Sequence, residues 1–481
     1  MQTRRDQVQA HSFVMSRLVS AMLRAEPDSP HTPNRRFVIG WVCGLVLGAL
    51  AVAACGVYGY IVPGGNTKWK TPGTLIVEKE TGSRYVYLDG VLRPVANYTS
   101  ARLLLGGEPT VVQVSGNSLA DVPHGLPVGI EAAPDHLPKV DSLDGTKWLV
   151  CSTTRTDSAG AVKTHVTLWV GATAKGETLD DGRGLLVRSP AGEVYLAWHN
   201  RRLRISSAAQ LSVLGYASAA QQPVGWAWLD VVPAGPDLAA PDTPGRGRPG
   251  PVIGGTASKV GQLFKLTEAV AGQPDGQHYL VRTDGLSPVT ATGAALLLVD
   301  PRTAQAYPGG QVRALPLTPA ALAGAPMSVD QTVNPLHPAA PPALAQPAPG
   351  TAPCLQVTVD AKDGPTARIA LGEPPAVPET PAVVAVREPR LADRVVVQPS
   401  AGLLMRDQPA PGVADGTLHL LVDTGVRYPL AGTSVAEVLG YGAATPVPVP
   451  AALLDLIPVG PSLDPETAKA TIPVTTSNAP G

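Results

Sequence analysis

The side chains in this chain best suited to acid–base or metal chemistry are seven of its nine histidines and one recurring aspartate. These seven are His124, His136, His165, His199, His278, His337 and His419, and the aspartate recurs as Asp89, Asp284 and Asp423. General acid–base or metal chemistry needs several such groups converging on one pocket. The histidines fall in separate segments with no pair at ligand spacing, so each reads as an ordinary surface or turn residue. Asp89 and Asp284 stand immediately before glycine, which is what a tight turn asks for, and the structural reading outweighs the catalytic one. Phosphate and hydrolase signatures are missing: no GxxxxGK[ST], HExxH, CxxC or GxSxG occurs in the 481 residues. Trp198, Trp226 and Trp228 could line a sugar-binding face, but core packing accounts for them more simply. The sequence therefore presents no catalytic, cofactor or metal residues.

The four cysteines divide by position. Cys43 and Cys55 lie in an uncharged stretch and act as small apolar residues. Cys151 and Cys354, roughly 200 residues apart, form an even pair in the large body, and a disulfide between them is expected. Closing so long a loop is worth about 3–5 kcal/mol in the chain-entropy picture. Zinc competes poorly, because two isolated cysteines lack the paired spacing of a structural site.

The stretch that holds Cys43 and Cys55, Phe37–Val62, contains no Asp, Glu, Lys, Arg or His. At ~1.5 Å per residue it reaches about 39 Å as a helix, enough to cross a hydrocarbon core of ~30 Å with tilt. Trp41 near one end and Tyr58 and Tyr60 near the other suit the two interfaces. A signal peptide is a poor fit, since the apolar region is too long and follows a foot containing acidic residues and prolines. Arg4, Arg5, Arg17, Arg24, Arg35 and Arg36 precede the span, the last two at the membrane edge, while Lys68 and Lys70 are the nearest cations after it. That bias keeps the amino end in the cytoplasm and exports the rest. A single-pass protein of the plasma membrane follows, with residues 1–36 as cytosolic foot and 37–62 as transmembrane helix.

Within the foot, Val8, Phe13, Val14, Leu18, Val19 and Met22 recur near the helical period over Arg4–Ala25. A helix this short is marginal alone, so its apolar face needs a cover. A partner protein docking on Val14, Leu18 and Met22 is favoured over lipid, although Arg4, Arg17 and Arg24 could meet phosphates. Pro30–Pro33 turns the chain into the membrane, and Pro63–Gly65 breaks away from it.

Beyond the membrane the pattern repeats four times: Gly73–Val77 with Tyr85–Gly90, Gly184–Val187 with Glu193–Leu196, Gly261–Phe264 with His278–Val281, and Gly402–Met405 with His419–Val422. Short apolar runs, turn residues and a following Ala/Leu-rich segment predict a β-hairpin, a strand and a helix per unit. Asp89-Gly90 and Asp284-Gly285 are predicted as hairpin turns in which glycine takes positive φ. Several units close on a similar phrase, Val122-Pro123, Val232–Gly235 and Ile457–Gly460. Two insertions, carrying predicted strands at Trp148–Cys151 and Thr164–Val170, and at Cys354–Val359 and Val383–Val386, each hold one cysteine. The expected body is α+β, rich in β and elongated: a central β domain from 126–183 and 321–400, repeat units at 73–125, 184–250, 258–320 and 401–450, and a terminal segment 451–481. Pro233–Pro251 and Pro335–Pro353 read as stiff connectors. High Gly (50) and Pro (51) with 4% aromatics fit many turns, and a net charge of −1 gives no reason to expect nucleic acid.

Specific phrases then carry a resemblance. RRDQVQAH at 4–11, PGGNTKW at 63–69, IVEKETGSRYVYLDG at 76–90, RPVANYTSARLLLG at 93–106, SLADVPHGLPVGIEAAPDHLP at 118–138, WLVCS at 148–152 and GYGAATPVPVP at 440–450 resemble EccB, a membrane component of actinobacterial type VII (ESX) secretion systems. The resemblance covers essentially the whole chain. It implies a scaffold of the secretion channel, assembled with EccC, EccD and EccE subunits around the pore, and four repeat domains about a disulfide-closed centre. It also implies that EccC supplies ATP hydrolysis; ATPase activity has been ascribed to some EccB members, but no residue here supports it. The expected function is anchoring and assembling that complex, with self-association of the exported body. The alternative is an envelope enzyme or cell-wall-binding module, which would need polar groups gathered in a cleft.

Overall fold

A computed structural model describes residues 4–25, 33–61, 67–156, 158–272, 274–330, 336–360, 364–377, 390–409, 413 and 416–473. They form two compact units, 1–92 with 110–125, and 93–109 with 126–481. The expected strand at Val383–Val386 and the breaks at Pro30–Thr32 and Pro63–Gly65 lie outside the described residues.

In the first unit, helix α1 (Arg4–Arg24) has Asp6 in its first turn, and α2 (Pro33–Ile61) opens on a proline, whose fixed φ suits that position. A 3-10 turn at Lys68–Lys70 buries Trp69. Strands β1 (Thr74–Glu78), β2 (Arg84–Leu88), β3 (Val91–Pro94) and β4 (Thr110–Val114) form one sheet in the order β3-β2-β1-β4. β1 runs antiparallel to β2, with Leu75 opposite Val86, and parallel to β4, with Ile76 opposite Val112. Asp89 (φ 52°) and Gly90 (φ 83°) make the turn into β3, both in the left-handed region that a two-residue hairpin loop requires. Trp69, Ile76, Leu92, Val114 and Leu119 form the core, with Trp69 edge-on to Tyr87 at 5.3 Å.

The second unit begins with α3 (Tyr98–Leu105), capped by the Asn97 side chain accepting from Ser100 N and ended by left-handed Gly106. Next come β5 (Lys147–Thr156), β6 (Val162–Val170) and β7 (Lys175–Thr178). They are followed by β8 (Arg183–Arg188), β9 (Val194–Trp198), β10 (Arg201–Ile205), α4 (Ala208–Val213), β11 (Gln222–Pro223) and α5 (Trp226–Val231). A hairpin, β12 (Pro249–Ile253) and β13 (Thr256–Lys259), leads to β14 (Leu263–Leu266), β15 (His278–Val281) and β16 (Leu286–Val289). Then follow α6 (Ala291–Val299), β17 (Leu315–Leu317), α7 (Pro319–Ala323) and β18 (Ala343–Leu344). The chain continues through β19 (Ala352–Asp360), β20 (Gly364–Glu373), β21 (Arg394–Val396), β22 (Leu403–Gln408), β23 (Leu418–Leu421) and β24 (Arg427–Leu430). It ends with α8 (Thr433–Val438), β25 (Val447–Pro450), α9 (Ala451–Leu454) and α10 (Pro465–Ala468).

Three more sheets share the order of the first: β10-β9-β8-β11, β16-β15-β14-β17 and β24-β23-β22-β25. We number the four sheets as modules 1 to 4 in chain order. Each has a meander of three strands and then a fourth strand parallel to the first. Parallel pairing demands a crossover, which α3, α4, α6 and α8 provide. The sequence reading of hairpin, strand and helix missed this fourth strand; in modules 2 and 3, Gln222-Pro223 and Leu315–Leu317 are too short to leave a periodic signal. Modules 2 and 4 pack on one face of a six-stranded central sheet, β21-β6-β5-β19-β20-β7. Trp148, Val150, Leu355 and Val357 of that sheet share a core with Leu185 and Trp228 of module 2 and Met405 and Leu453 of module 4. Helix α4 packs on α6, and α3 on α8 and α10.

The closing phrase has a defined job. In every module a proline carbonyl and the amide two residues later bracket one residue of the third strand. Leu92 N donates to Pro123 O and Gly125 N to Leu92 O, each at 2.8 Å, and Arg202 does the same with Pro233 and Gly235 at 2.9 and 2.8 Å. Leu286 with Pro326 and Ser328, and Arg427 with Pro458 and Gly460, repeat the arrangement. Proline serves here because only its carbonyl is used. One expected turn differs. Gly285 does not take the left-handed conformation, and its lack of Cβ instead admits the Pro326 carbonyl, which a Cβ would approach to 2.4 Å.

Candidate functional site

The apolar segment from Arg36 to Gly59 has a mean hydropathy of 2.4, and none of it is buried against the rest of the chain. A helix that is apolar on all sides and uncovered belongs in lipid, where its own backbone pairing satisfies every amide. Arg35 and Arg36 fall in its first turns. In α1, Val14, Leu18 and Met22 are 58, 51 and 80% exposed, so the predicted apolar face is open.

Cys151 on β5 lies directly opposite Cys354 on β19, and the two sulfurs are bonded. Both are fully buried among Leu149, Trp169 and Ala352 on the face of the central sheet away from modules 2 and 4. Cys43 and Cys55 are free and exposed within the span.

The histidines do not converge, and among the described residues no group of three His, Cys, Asp or Glu could hold a metal ion. His124 meets the Tyr85 ring edge-on at 5.7 Å, while His199 stacks on Trp198 at 4.2 Å and pairs with Asp181 at 2.7 Å. His278, His337 and His419 each have a lowered pKa, in every case chiefly through desolvation by burial; Lys265 adds to it at His278 and Arg427 at His419. The repeated aspartates serve their loops: the Asp284 carboxylate accepts from Val329 N at 3.1 Å, and that of Asp423 from Ser400 N at 2.8 Å. Bonds from Ser328 and Val329 hold the Asp284 carboxyl below its usual pKa. Trp228 is fully buried, Trp226 half-buried, and Trp198 donates Nε1–H to Asp181 O at 2.8 Å, so the three do not form an exposed sugar platform.

One charged arrangement escaped the sequence reading. Arg202 of module 2 lies 3.6 Å from Asp230, and Arg427 of module 4 lies 3.9 Å from Asp455. Both arginines are the residues bracketed by the closing phrase, so the pairs are equivalent; the phrases Asp230-Val-Val-Pro233 and Asp455-Leu-Ile-Pro458 were the available signal. Asp230, Arg390, Ala452, Asp455 and Leu456 line a cavity of about 240 Å³. Arg390 lies 3.9 Å from Asp230 in this lining.

An uncovered apolar span, a disulfide-closed sheet and four copies of one small module define a membrane-anchored, multi-module protein. The chain belongs to the family described as type VII secretion system ESX-1, transport TM domain B, which matches residues 1–474. It is a membrane protein with one candidate span among the described residues, and a core component of a type VII secretion system. Among curated relatives, ESX-3 secretion system ATPase EccB3 of Mycolicibacterium smegmatis is 27% identical over 95% of this chain and 89% of that protein. ESX-2 secretion system ATPase EccB2 of Mycobacterium tuberculosis is 28% identical over 96% of this chain and 94% of that one. Among solved structures, a chain of an intact ESX-5 inner membrane complex shares the fold with a TM-score of 0.65 at 23% identity, covering 100% of this chain and 98% of that one. A chain of an EccB3 dimer from the ESX-3 core complex gives a TM-score of 0.63 at 24% identity, covering 82% of this chain and 100% of that one.

Proposed function

We propose that this chain is a non-catalytic structural subunit that anchors and assembles the inner-membrane complex of a type VII system. In this reading it joins EccC-, EccD- and EccE-type subunits, and its periplasmic body associates with further copies. The observation that carries the reading is the family match over nearly the whole chain, together with a chain lacking a GxxxxGK[ST] loop. The names of these relatives include the word ATPase, but this sequence has no GxxxxGK[ST] loop of the kind that cradles a triphosphate. The foot residues Val14, Leu18 and Met22 are the proposed contact with another subunit, and Arg35 and Arg36 hold the membrane edge. Cys151–Cys354 ties the two halves of the central sheet. Gentle solubilisation of native membranes, followed by identification of what co-purifies with the tagged chain, tests this. Recovery with the other channel subunits is expected; recovery alone, or ATP hydrolysis by the purified chain, would overturn it.

A further inference from the structure

The fourth strand of every module is an edge strand, and its outward-facing backbone groups are free to pair with another chain unless something prevents it. In modules 2, 3 and 4 that edge carries proline. Pro223 stands opposite Arg188, Pro316 opposite Lys265, and Pro448 opposite Arg406. Each partner lies four residues beyond the glycine that opens its module, Gly184, Gly261 or Gly402. The same count from Gly73 gives Val77, and the residue opposite Val77 is Gln113.

Direction of the backbone groups makes the comparison sharper. Thr110 N donates to Gly73 O at 3.0 Å and Lys79 N to Val114 O at 2.9 Å, so Thr110, Val112 and Val114 turn their amides and carbonyls toward β1. In a parallel ladder the alternate residues, Val111 and Gln113, turn theirs outward. By the same alternation, Leu317 O accepts from Thr267 N at 3.0 Å, so Pro316 faces outward. Proline therefore removes the outward donor at this position in three modules, and module 1 alone keeps it. β4 is also the longest of the four, five residues without charge or proline, Thr-Val-Val-Gln-Val, and Val111 is 53% exposed. Among the described residues no strand pairs with its outer edge.

We infer that β4 is a strand-addition edge, and that its occupant is β4 of a second copy of this chain, running antiparallel across a two-fold axis. A two-fold contact sets each residue against the same short strand, so any charge on it would sit near its like; β4 has none. This rests on the self-association in the reading above and names the surface that makes it.

The test uses the full chain in native membranes with Cys43 and Cys55 replaced by Ala. Val111→Cys, Val112→Cys and Gln113→Cys are each treated with a thiol cross-linker spanning about 8 Å, the reach of diagonal cross-strand neighbours. Cross-linked dimers are expected, and adding Gln113→Pro, which copies the other modules, to the Val111→Cys or Val112→Cys chain should reduce them at least tenfold. Val111→Lys in the Val112→Cys or Gln113→Cys chain, which leaves the backbone alone, should do the same. An intact Cys151–Cys354 bond and unchanged protease resistance verify that the variants fold. If Gln113→Pro leaves copy number and cross-linking unchanged in a complex that assembles normally, the β4 inference is wrong while the scaffold reading stands. If it instead removes a different subunit and spares self-association, the assigned occupant is wrong. A wild-type chain that never self-associates defeats both.

Discussion

Cys151 and Cys354 face each other across neighbouring antiparallel strands with their Cα atoms 4.0 Å apart, although 203 positions separate them in sequence. Their pairing joins the two insertions that build the central sheet. Modules 2 and 3 lie within the loop that the bond closes.

Replacing both cysteines by Ala should destabilise the body by at most about 5 kcal/mol, the chain-entropy figure for a loop this long. Val150 opposite Leu355 and Trp148 opposite Val357 keep the register without the sulfurs, so the native sheet should still form. Denaturant midpoints of the full chain in detergent, with and without the bond, check this. Equal midpoints would show that the bond adds nothing. Because both sulfurs are fully buried, thiol-labelling after mild reductant should also stay low until the sheet opens.

Gly440 ends α8 with φ of 85°, and a Cβ there would lie 2.9 Å from the Arg102 guanidinium on α3. Gly440→Ala should cost about 1–2 kcal/mol from the left-handed conformation alone, with more if Arg102 cannot move. Arg102→Ala in the same background should recover the steric part and leave the conformational part. Thermal melts of the two single variants and the double variant separate these contributions. Full recovery in the double variant would refute the backbone argument.

How much of this was legible before the structure depended on the length of the signal. The apolar run Phe37–Val62, the cysteine pair and the strands at Trp148–Cys151 and Cys354–Val359 are continuous or chemically distinctive. The fourth strands were not legible: Gln222-Pro223 has two residues, and its proline argues against a strand until the edge position is known. The closing phrase was visible as a repeated Pro but not as a backbone bracket, and its third copy, Pro326-Met327-Ser328, shares too little composition to be matched. Asp284-Gly285 misled because glycine there admits a neighbouring carbonyl instead of taking positive φ. The Arg202–Asp230 and Arg427–Asp455 pairs needed the fold to bring each arginine beside its aspartate.

Acid should weaken the body through three histidines. Burial lowers the pKa of His278, His337 and His419 below the unfolded value of about 6.5. Below that value the unfolded chain binds protons the folded chain refuses, so stability present above about pH 6.5 is lost as pH falls toward the folded pKa values. Asp284, Asp300 and Asp464, whose pKa values are also lowered, act only near pH 4 and below, so the window from 6.5 to 5 belongs to histidine. Urea midpoints of the full chain should fall across that window, and His419→Gln should flatten the slope. A slope unchanged by His419→Gln would remove that residue from the account.

The foot supplies the last prediction. Val14, Leu18 and Met22 lie at helical spacing on α1 and are more than half exposed, an arrangement that costs nothing only if another surface covers it. A partner surface would also order a helix that is marginal by itself, so part of the contact energy goes into that ordering. Leu18→Asp with Met22→Asp should therefore release the chain from the secretion complex. The span from Arg36 to Gly59 and its flanking arginines are untouched, so insertion, topology and the Cys151–Cys354 bond should be normal. Lipid contact gives the opposite pattern, in which assembly tolerates the two aspartates and fails when Arg17 and Arg24 become Gln. Co-purification of the tagged variants from membranes distinguishes them: a complex of normal composition around the Leu18→Asp, Met22→Asp chain removes the foot as an assembly contact.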